Sequence, residues 1–427
     1  MNAKVKLTIL NFLEFAVWGA YLTSMGNYLA SVGMAGQIGW FYSVQGFVSL
    51  FMPALMGIVA DRWIEAQRLL SLSHLLAGVF MLAACVYGTQ AGGAVRFAPL
   101  FALYTLSVAF YMPTIALSNS VAYSALDQAG LDTVKAFPPI RVFGTVGFII
   151  SMWIVDLGGM QSTPMQFGWS GLLGIVLAAY AFTMPRCPIS KGARKSLADA
   201  LGLKAFSLFR NYRMALFFIF SMFLGVCLQI TNGFANPFIT SFGSIAEFQD
   251  TFGVRHANIL ISLSQVSETL CILLIPFFLK RFGIKRVMLL AMLAWVLRYL
   301  FFAVGNPGSG VVWFVLSMIV YGVAFDFFNI SGSLFVDKET SLDIRNSAQG
   351  LFMMMTNGFG ATIGTLSAQQ VVNHYVFDLG AGADPMAVWQ GWNTCWYIFA
   401  GYALVVAVAF ALMFRYKHVP GDGKALD

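Results

Sequence analysis

The chain has 427 residues, of which 59% are apolar and only 10% charged, with a formal net charge of +7. A soluble domain carries roughly 25% charged residues, so an ordinary globular protein is excluded. The apolar residues gather into runs that reach the roughly 20 residues a helix needs to cross a bilayer, which predicts an integral membrane protein.

Twelve apolar segments are expected as helices, over residues 7–30, 37–60, 68–89, 96–122, 138–158, 165–184, 213–240, 256–279, 286–304, 311–335, 346–374 and 392–415. Strands of a membrane barrel would be shorter and strictly alternating, so the predicted fold class is an all-α membrane protein. Lys4 and Lys6 ahead of the first run give it the look of a signal peptide. That run contains Glu14 and has no small-residue cleavage site, so it is read as a retained first helix.

Basic residues mark one side of the membrane. Lys4, Lys6, Arg62, Arg68, Lys135, Lys280, Arg281, Lys285, Arg286, Arg415, Lys417 and Lys424 fall in connections that alternate with acid-rich ones holding Asp156, Glu247, Asp250, Asp378 and Asp384. This positive-inside bias predicts that both termini are cytoplasmic. The positive charge therefore reports topology. Spread over many short loops, it gives no reason to expect nucleic-acid binding. The five cysteines form no C-x-x-C pair, and the four histidines have no metal-ligand spacing. His74, inside an apolar run, reads as a satisfied interior histidine rather than a ligand.

The stretch 185–212, with Pro185, Pro188, Ser190, Gly192 and Ser196 among its basic residues, is expected to be a cytoplasmic linker. It separates a six-helix half at 1–184 from a second at 213–415, followed by a cytoplasmic tail at 416–427. Weak internal similarity supports two related halves: PPIRVFGT opens span five and LDIRNSAQG opens span eleven. Repeated halves are a recurring transporter design in which substrate is held near the midplane.

Expensive groups sit inside the spans. An Asp, Lys or Arg at a helix centre costs roughly 2.5–3.5 kcal/mol on insertion scales, so such residues usually face a cavity or a partner. Glu14, Arg141, Glu268, Arg298 and Asp326 are the charged candidates. Helical spacing gathers others around them: Gln229 with Asn232, Gln265 with Glu268, Tyr321 with Phe325 and Asn329, Asp326 with Asn329, and Arg141 with Thr145 and Phe148. Glu14 is expected to lie close enough to the cytoplasmic edge to stay hydrated, and Arg298 has no assigned partner. Gly144, Gly147, Gly358, Gly360 and Gly364 are expected to let helices approach closely. No paired histidines, activated nucleophile or clustered loop acids point to an enzyme.

Gly57, Asp61, Arg62 and the later Arg68 resemble the G-x-x-x-D-R loop signature of the major facilitator superfamily, with Ile64 where a glycine is usual. Arg281, Phe282, Gly283, Lys285 and Arg286 repeat it in the second half, with Lys280 in place of an acid. A narrower resemblance runs along nearly the whole chain. FMPALMGIVADRW, FPPIRVFGTVGFI, FFIFSMFLG, LQITN, SQVSETL, IPFFLKRFGIKRVM, LSMIVYGVAFDFFNISGS and SAQGLFMMMTNGFG all resemble the bacterial nucleoside:proton symporter family. That resemblance implies the twelve-helix major facilitator fold and proton-driven nucleoside uptake across the inner membrane by alternating access. It also implies a substrate site at Arg141, Thr145, Phe148, Gln229, Asn232, Gln265, Glu268, Tyr321, Phe325 and Asp326, to which the spacing adds Asn329.

Such an inventory suits a nucleoside. Amides and carboxylates serve ribose hydroxyls and a base edge, while Phe325 and Phe148 are candidates for stacking. Asp326 and Glu268 are the candidate proton carriers, because burial disfavours a charged carboxylate. The coupling proton is the only cofactor expected, and the chain is expected to act as a monomer within the lipid bilayer. A sugar as substrate, or passive facilitation of nucleosides, would use the same architecture.

Overall fold

The computed structural model describes residues 2–187, 189, 203–341, 344–380 and 382–417, with no strand among them. Most of the expected linker, the start of LDIRNSAQG and the end of the tail lie outside these residues, as do the side chains of Asp61 and Arg62. The chain divides into two compact units, Met1–Leu201 and Gly202–Asp427.

The first unit contains α1 (Ala3–Gly19), α2 (Met25–Ser31), α3 (Ile38–Ser49), α4 (Met52–Arg62), α5 (Ala66–Ala91), α6 (Phe97–Gln128), α7 (Thr133–Leu157) and α8 (Met165–Ala181). The second contains α9 (Tyr212–Ser241), α10 (Ala257–Ile272), α11 (Ile275–Phe282), α12 (Ile284–Val304), α13 (Val311–Glu339), α14 (Arg345–Met353), a π-helical turn (Met354–Gly360), α15 (Ala361–Tyr375) and α16 (Pro385–Met413). Seven of these helices are long and apolar enough to span a membrane alone. The α3–α4 and α10–α11 pairs make two more spans, bent by 40° and 56°. The α1–α2 segment, the 17-residue α8 and the α14–α15 segment occupy the three remaining places expected from hydropathy.

Both bends have a sequence cause. Pro53 opens α4 and Pro276 opens α11. Proline lacks the N–H that would bond back into the preceding turn, and its ring crowds the carbonyl there. The last helix begins seven residues before its expected start, because Asp384 accepts from the backbone N–H of Met386 and Pro385 occupies the first turn. This is cap chemistry that hydropathy does not register. The fifth helix likewise starts earlier, at Thr133, and runs through Pro138 and Pro139.

Within each unit the helices pair in the same way. In the first, α1 packs on α7, α5 on both α6 and α8, and α3 on α6. In the second, α9 packs on the π-turn and α15, α12 on both α13 and α16, and α10 on α13. Counted by span, these are the same partners six spans later, as expected for repeated halves. Outward faces stay apolar: Val405 and Leu412 of α16 are 68% and 72% exposed. A continuous exposed face of that kind is suited to lipid.

Close approaches are present at Gly144, Gly147, Gly360 and Gly364. A Cβ on Gly147 of α7 would lie 2.1 Å from the Phe12 carbonyl oxygen of α1. On Gly360 it would lie 2.4 Å from the Met222 carbonyl oxygen of α9, and on Gly364 2.6 Å from Val226 Cα. In the second loop signature, Gly283 ends α11 at φ +75°, a conformation glycine adopts without penalty. Among the described residues, a Cβ on Gly57 would meet nothing within 4 Å.

Candidate functional site

In the second unit, polar and aromatic groups converge from α9, α10, α12 and α13. Gln229 and Asn232 meet as their spacing predicts, the Asn232 amide donating to Gln229 Oε1 at 3.2 Å. On α10, Gln265 keeps a buried side-chain oxygen that no protein group hydrogen-bonds. Glu268 lies within electrostatic reach of both Tyr321 and Asp326. Asp326 itself is 5% exposed, and its Oδ2 is buried without a hydrogen-bond donor among the described residues.

A glycine sets the approach of these two acid-bearing helices. A Cβ on Gly322 of α13 would lie 2.6 Å from the Ser267 carbonyl oxygen of α10. The Ser267 hydroxyl in turn donates to the Ile319 carbonyl, tying α10 to α13 one residue from Glu268.

Tyr321 and Phe325 stack at 5.7 Å with 4° between their planes, one helical turn apart. Trp295 of α12 stands perpendicular to Tyr321 at 6.0 Å. Phe325 and Asn329 line a recess together with Trp295, Phe328, Thr356 and Asn357. The last two lie on the π-turn, a local widening of the helix that is often found at functional sites. Asn329 spends its amide donor on the Phe325 carbonyl of its own helix, at 3.0 Å.

Arg298, unpartnered from sequence, is held in the core through one end of its guanidinium. Its Nη1 donates to the Ser317 carbonyl at 2.7 Å and approaches the Ser264 hydroxyl at 3.3 Å. Its guanidinium lies 4.7 Å from the Tyr321 ring centroid. No carboxylate pairs with it among the described residues, so Tyr321 stands between a buried cation and the two acids. Arg298→Gln is expected to weaken nucleoside binding roughly five- to thirtyfold, from the lost ring contact and the carbonyl left without its charged donor. Equilibrium binding to purified protein, with Arg298→Lys as the charge-retaining control, checks this.

In the first unit, the Arg141 guanidinium lies 3.9 Å over the Phe15 ring. A Cβ on Gly144 would sit 2.9 Å from Arg141 Nη1, so glycine leaves room for it. Thr145 is half-buried beside them on α7. Phe148 meets the Trp18 ring edge-on at 6.2 Å, and the Trp18 indole donates to Gln45 at 3.2 Å. Phe15 and Trp18 were not singled out from sequence, although they sit three apart on one face of α1.

Glu14 corrects an expectation. It is not hydrated at a membrane edge but is 0% exposed, held by His74 of α5 at 2.8 Å and by Thr114 of α6 at 2.6 Å. Partners arriving from two other helices account for its tolerance of burial.

Comparison with known proteins agrees with this architecture along the whole chain. Residues 1–419 match the family model described as nucleoside H+ symporter. The xanthosine permease of Escherichia coli (strain K12) is 48% identical over 425 residues, covering 98% of each chain. The nucleoside permease NupG of the same organism is 47% identical over 423 residues, covering 98% of this chain and 97% of that one. A solved structure of a NupG variant superposes with a TM-score of 0.90 at 46% identity, covering 97% of this chain and 100% of that one. The all-α fold is that of these transporters. The chain belongs to the nucleoside H+ symporter family and is a transporter, not an enzyme.

Proposed function

We propose that this chain carries nucleosides, xanthosine among the candidates, together with protons into the cell across the bacterial inner membrane by alternating access. Proton-coupled nucleoside transport follows from the family. Both termini are assigned to the cytoplasm on the distribution of basic residues, with 185–212 as the connector between halves 1–184 and 213–415 and 416–427 as the tail. The transporter works as a monomer in lipid, with no cofactor beyond the coupling proton and no nucleic-acid partner.

One observation carries the assignment of the site. A buried acid with an unbonded oxygen, Asp326, lies beside a second acid, Glu268, next to a stacked aromatic pair. A carboxylate oxygen without a donor suits a ribose hydroxyl or a proton, and the flat face of Phe325 suits a base. Gln229, Asn232, Gln265, Tyr321 and Asn329 supply the remaining contacts of the second unit, and Arg141, Thr145 and Phe148 those of the first. Asp326 and Glu268 hold the coupling proton. Gly57, Asp61, Arg62, Arg281, Gly283 and Arg286 form the loop signatures that govern gating.

Uptake of a labelled nucleoside panel into proteoliposomes, with and without an imposed inward proton gradient, tests the reading. The gradient is expected to drive accumulation. Equilibration that ignores it would show a passive facilitator, and inhibition by excess free sugar would show a sugar carrier. Phe325→Ala is expected to raise the half-saturating nucleoside concentration roughly five- to hundredfold, since stacking on an aromatic ring is worth about 1–3 kcal/mol per base. Concentration dependence of initial uptake checks it.

A further inference from the structure

The first unit holds an ionisable pair that the nucleoside site does not use. Glu14 of α1 and His74 of α5 are both 0% exposed, with His74 Nε2 2.8 Å from Glu14 Oε2. The Thr114 hydroxyl of α6 lies 2.6 Å from Glu14 Oε1 and 2.6 Å from the Tyr111 carbonyl, and its single proton serves one of them at a time. The Tyr111 hydroxyl donates to the Glu14 carbonyl at 2.8 Å, and its ring stands edge-on to the imidazole at 6.0 Å. The second imidazole nitrogen, Nδ1, is buried, and no group among the described residues hydrogen-bonds it.

A contact of this length between carboxylate and imidazole needs a proton on the line joining them. Nδ1 is then the atom at which the charge of the pair changes. Without a proton there, the pair is a buried anion. With one, the pair is neutral overall, and the Nε2 to Oε2 bond need not break. Neither state is free of cost: one buries net charge, the other an unmatched N–H. A purely structural pin between three helices would be met by an amide or hydroxyl pair, with no change of charge available.

Other charged and titratable groups gather around Tyr111, which bonds the pair. Tyr111 comes from α6, Arg141 from α7 with its guanidinium over the neighbouring Phe15, and Tyr21 from the segment after α1. The α8 side chains that bond α1 and the segment after it, Ser170 to the Val17 carbonyl at 2.8 Å and Gln166 to Ser24 at 3.0 Å, are not ionisable. Lys4 and Lys6 lie on α1 itself, two to three turns away.

We propose that Glu14 and His74 form a second proton-carrying site, loaded at His74 Nδ1 and separate from the acids of the second unit, so that each nucleoside enters with two protons. This rests on the proton-coupled reading above. The test is the proton-to-uridine ratio, from the imposed voltage at which net uridine flux into proteoliposomes stops. The wild-type ratio is expected to be two, and both Glu14→Gln and His74→Gln are expected to lower it to one. Under a tenfold proton gradient, accumulation in either variant would fall about tenfold, one factor of ten for the proton lost. The pH dependence of uridine binding to purified protein should stay as in wild type, because the nucleoside site is intact. A wild-type ratio of one overturns the second site, as does a ratio of two in either variant. Wild-type uridine flux indifferent to the proton gradient would instead overturn proton coupling itself, so the two failures are told apart.

Discussion

Asp326→Asn is expected to give a transporter that binds nucleoside with an affinity that changes less with pH than that of wild type. Under a tenfold proton gradient it is expected to accumulate about tenfold less than wild type, the loss of one coupled proton. Asparagine keeps the shape of the side chain and, like the protonated acid, is neutral. It cannot release a proton. The structural basis is the combination at this position: 5% exposure, a buried Oδ2 with no donor, and Glu268 within electrostatic reach. Two like charges this close in an apolar setting repel each other, so ionising both at once is costly. Glu268 is half-buried, so it is the more accessible of the two. Nucleoside exchange between preloaded vesicles and medium should survive the substitution, because exchange needs binding and reorientation but no net proton movement. Uphill uptake and exchange measured in the same vesicles separate the two activities. Accumulation at the wild-type level by the asparagine protein would remove Asp326 from the coupling step, and the same pair of measurements on Glu268→Gln would then assign it.

The residues most legible from sequence were those whose cost is local. Asp326, Glu268 and the Gln229–Asn232 pair stand out because each is polar where the surroundings are apolar, and helical spacing alone brings Asn232 to Gln229. What the sequence hides is where a partner comes from. Glu14 was visible as an expensive group, but its partners His74 and Thr114 lie 60 and 100 residues away, so its burial could not be read locally. Arg298 is similar, since its main acceptor is a backbone carbonyl on another helix, and every residue carries one of those. Trp295, Thr356 and Asn357 reach the recess through packing and through the π-helical turn, neither of which has a periodic signature. Hydropathy placed the spans but passed over the Pro53 and Pro276 breaks, because a bent span is as apolar as a straight one. The two halves were more legible than either site: their weak sequence similarity is matched by the same span-to-span packing in both units.

The packing of α9 on the span-eleven helix makes the strongest stability prediction. Gly225→Val is expected to prevent recovery of folded transporter, while Gly57→Val is expected to leave folding near wild type. A Cβ on Gly225 would lie 2.1 Å from the Thr356 carbonyl oxygen and 2.8 Å from Thr356 Cα. The obstruction is backbone, which no rotamer change relieves. On the facing helix, Gly360 is equally constrained by the Met222 carbonyl and by Gly225 Cα, so the two backbones touch through a pair of glycines. In a membrane the helices gain little from burying apolar surface against one another, and van der Waals fit of this kind carries much of the association. Forcing extra atoms into a packed contact costs about 1–3 kcal/mol when side chains can adjust, and here they cannot. Gly225→Ala, with its single added carbon, is expected to lose at least about 3 kcal/mol on the same reasoning. It would also push the π-turn away from α9, displacing Thr356 and Asn357 from the recess they share with Phe325. Gly57 is the internal control: it belongs to a loop signature, yet among the described residues nothing lies within 4 Å of its Cβ position. Size-exclusion chromatography and thermal unfolding of the detergent-purified variants check the contrast. A monodisperse Gly225→Val protein with wild-type thermal stability would show that α9 and the π-turn do not meet at this distance.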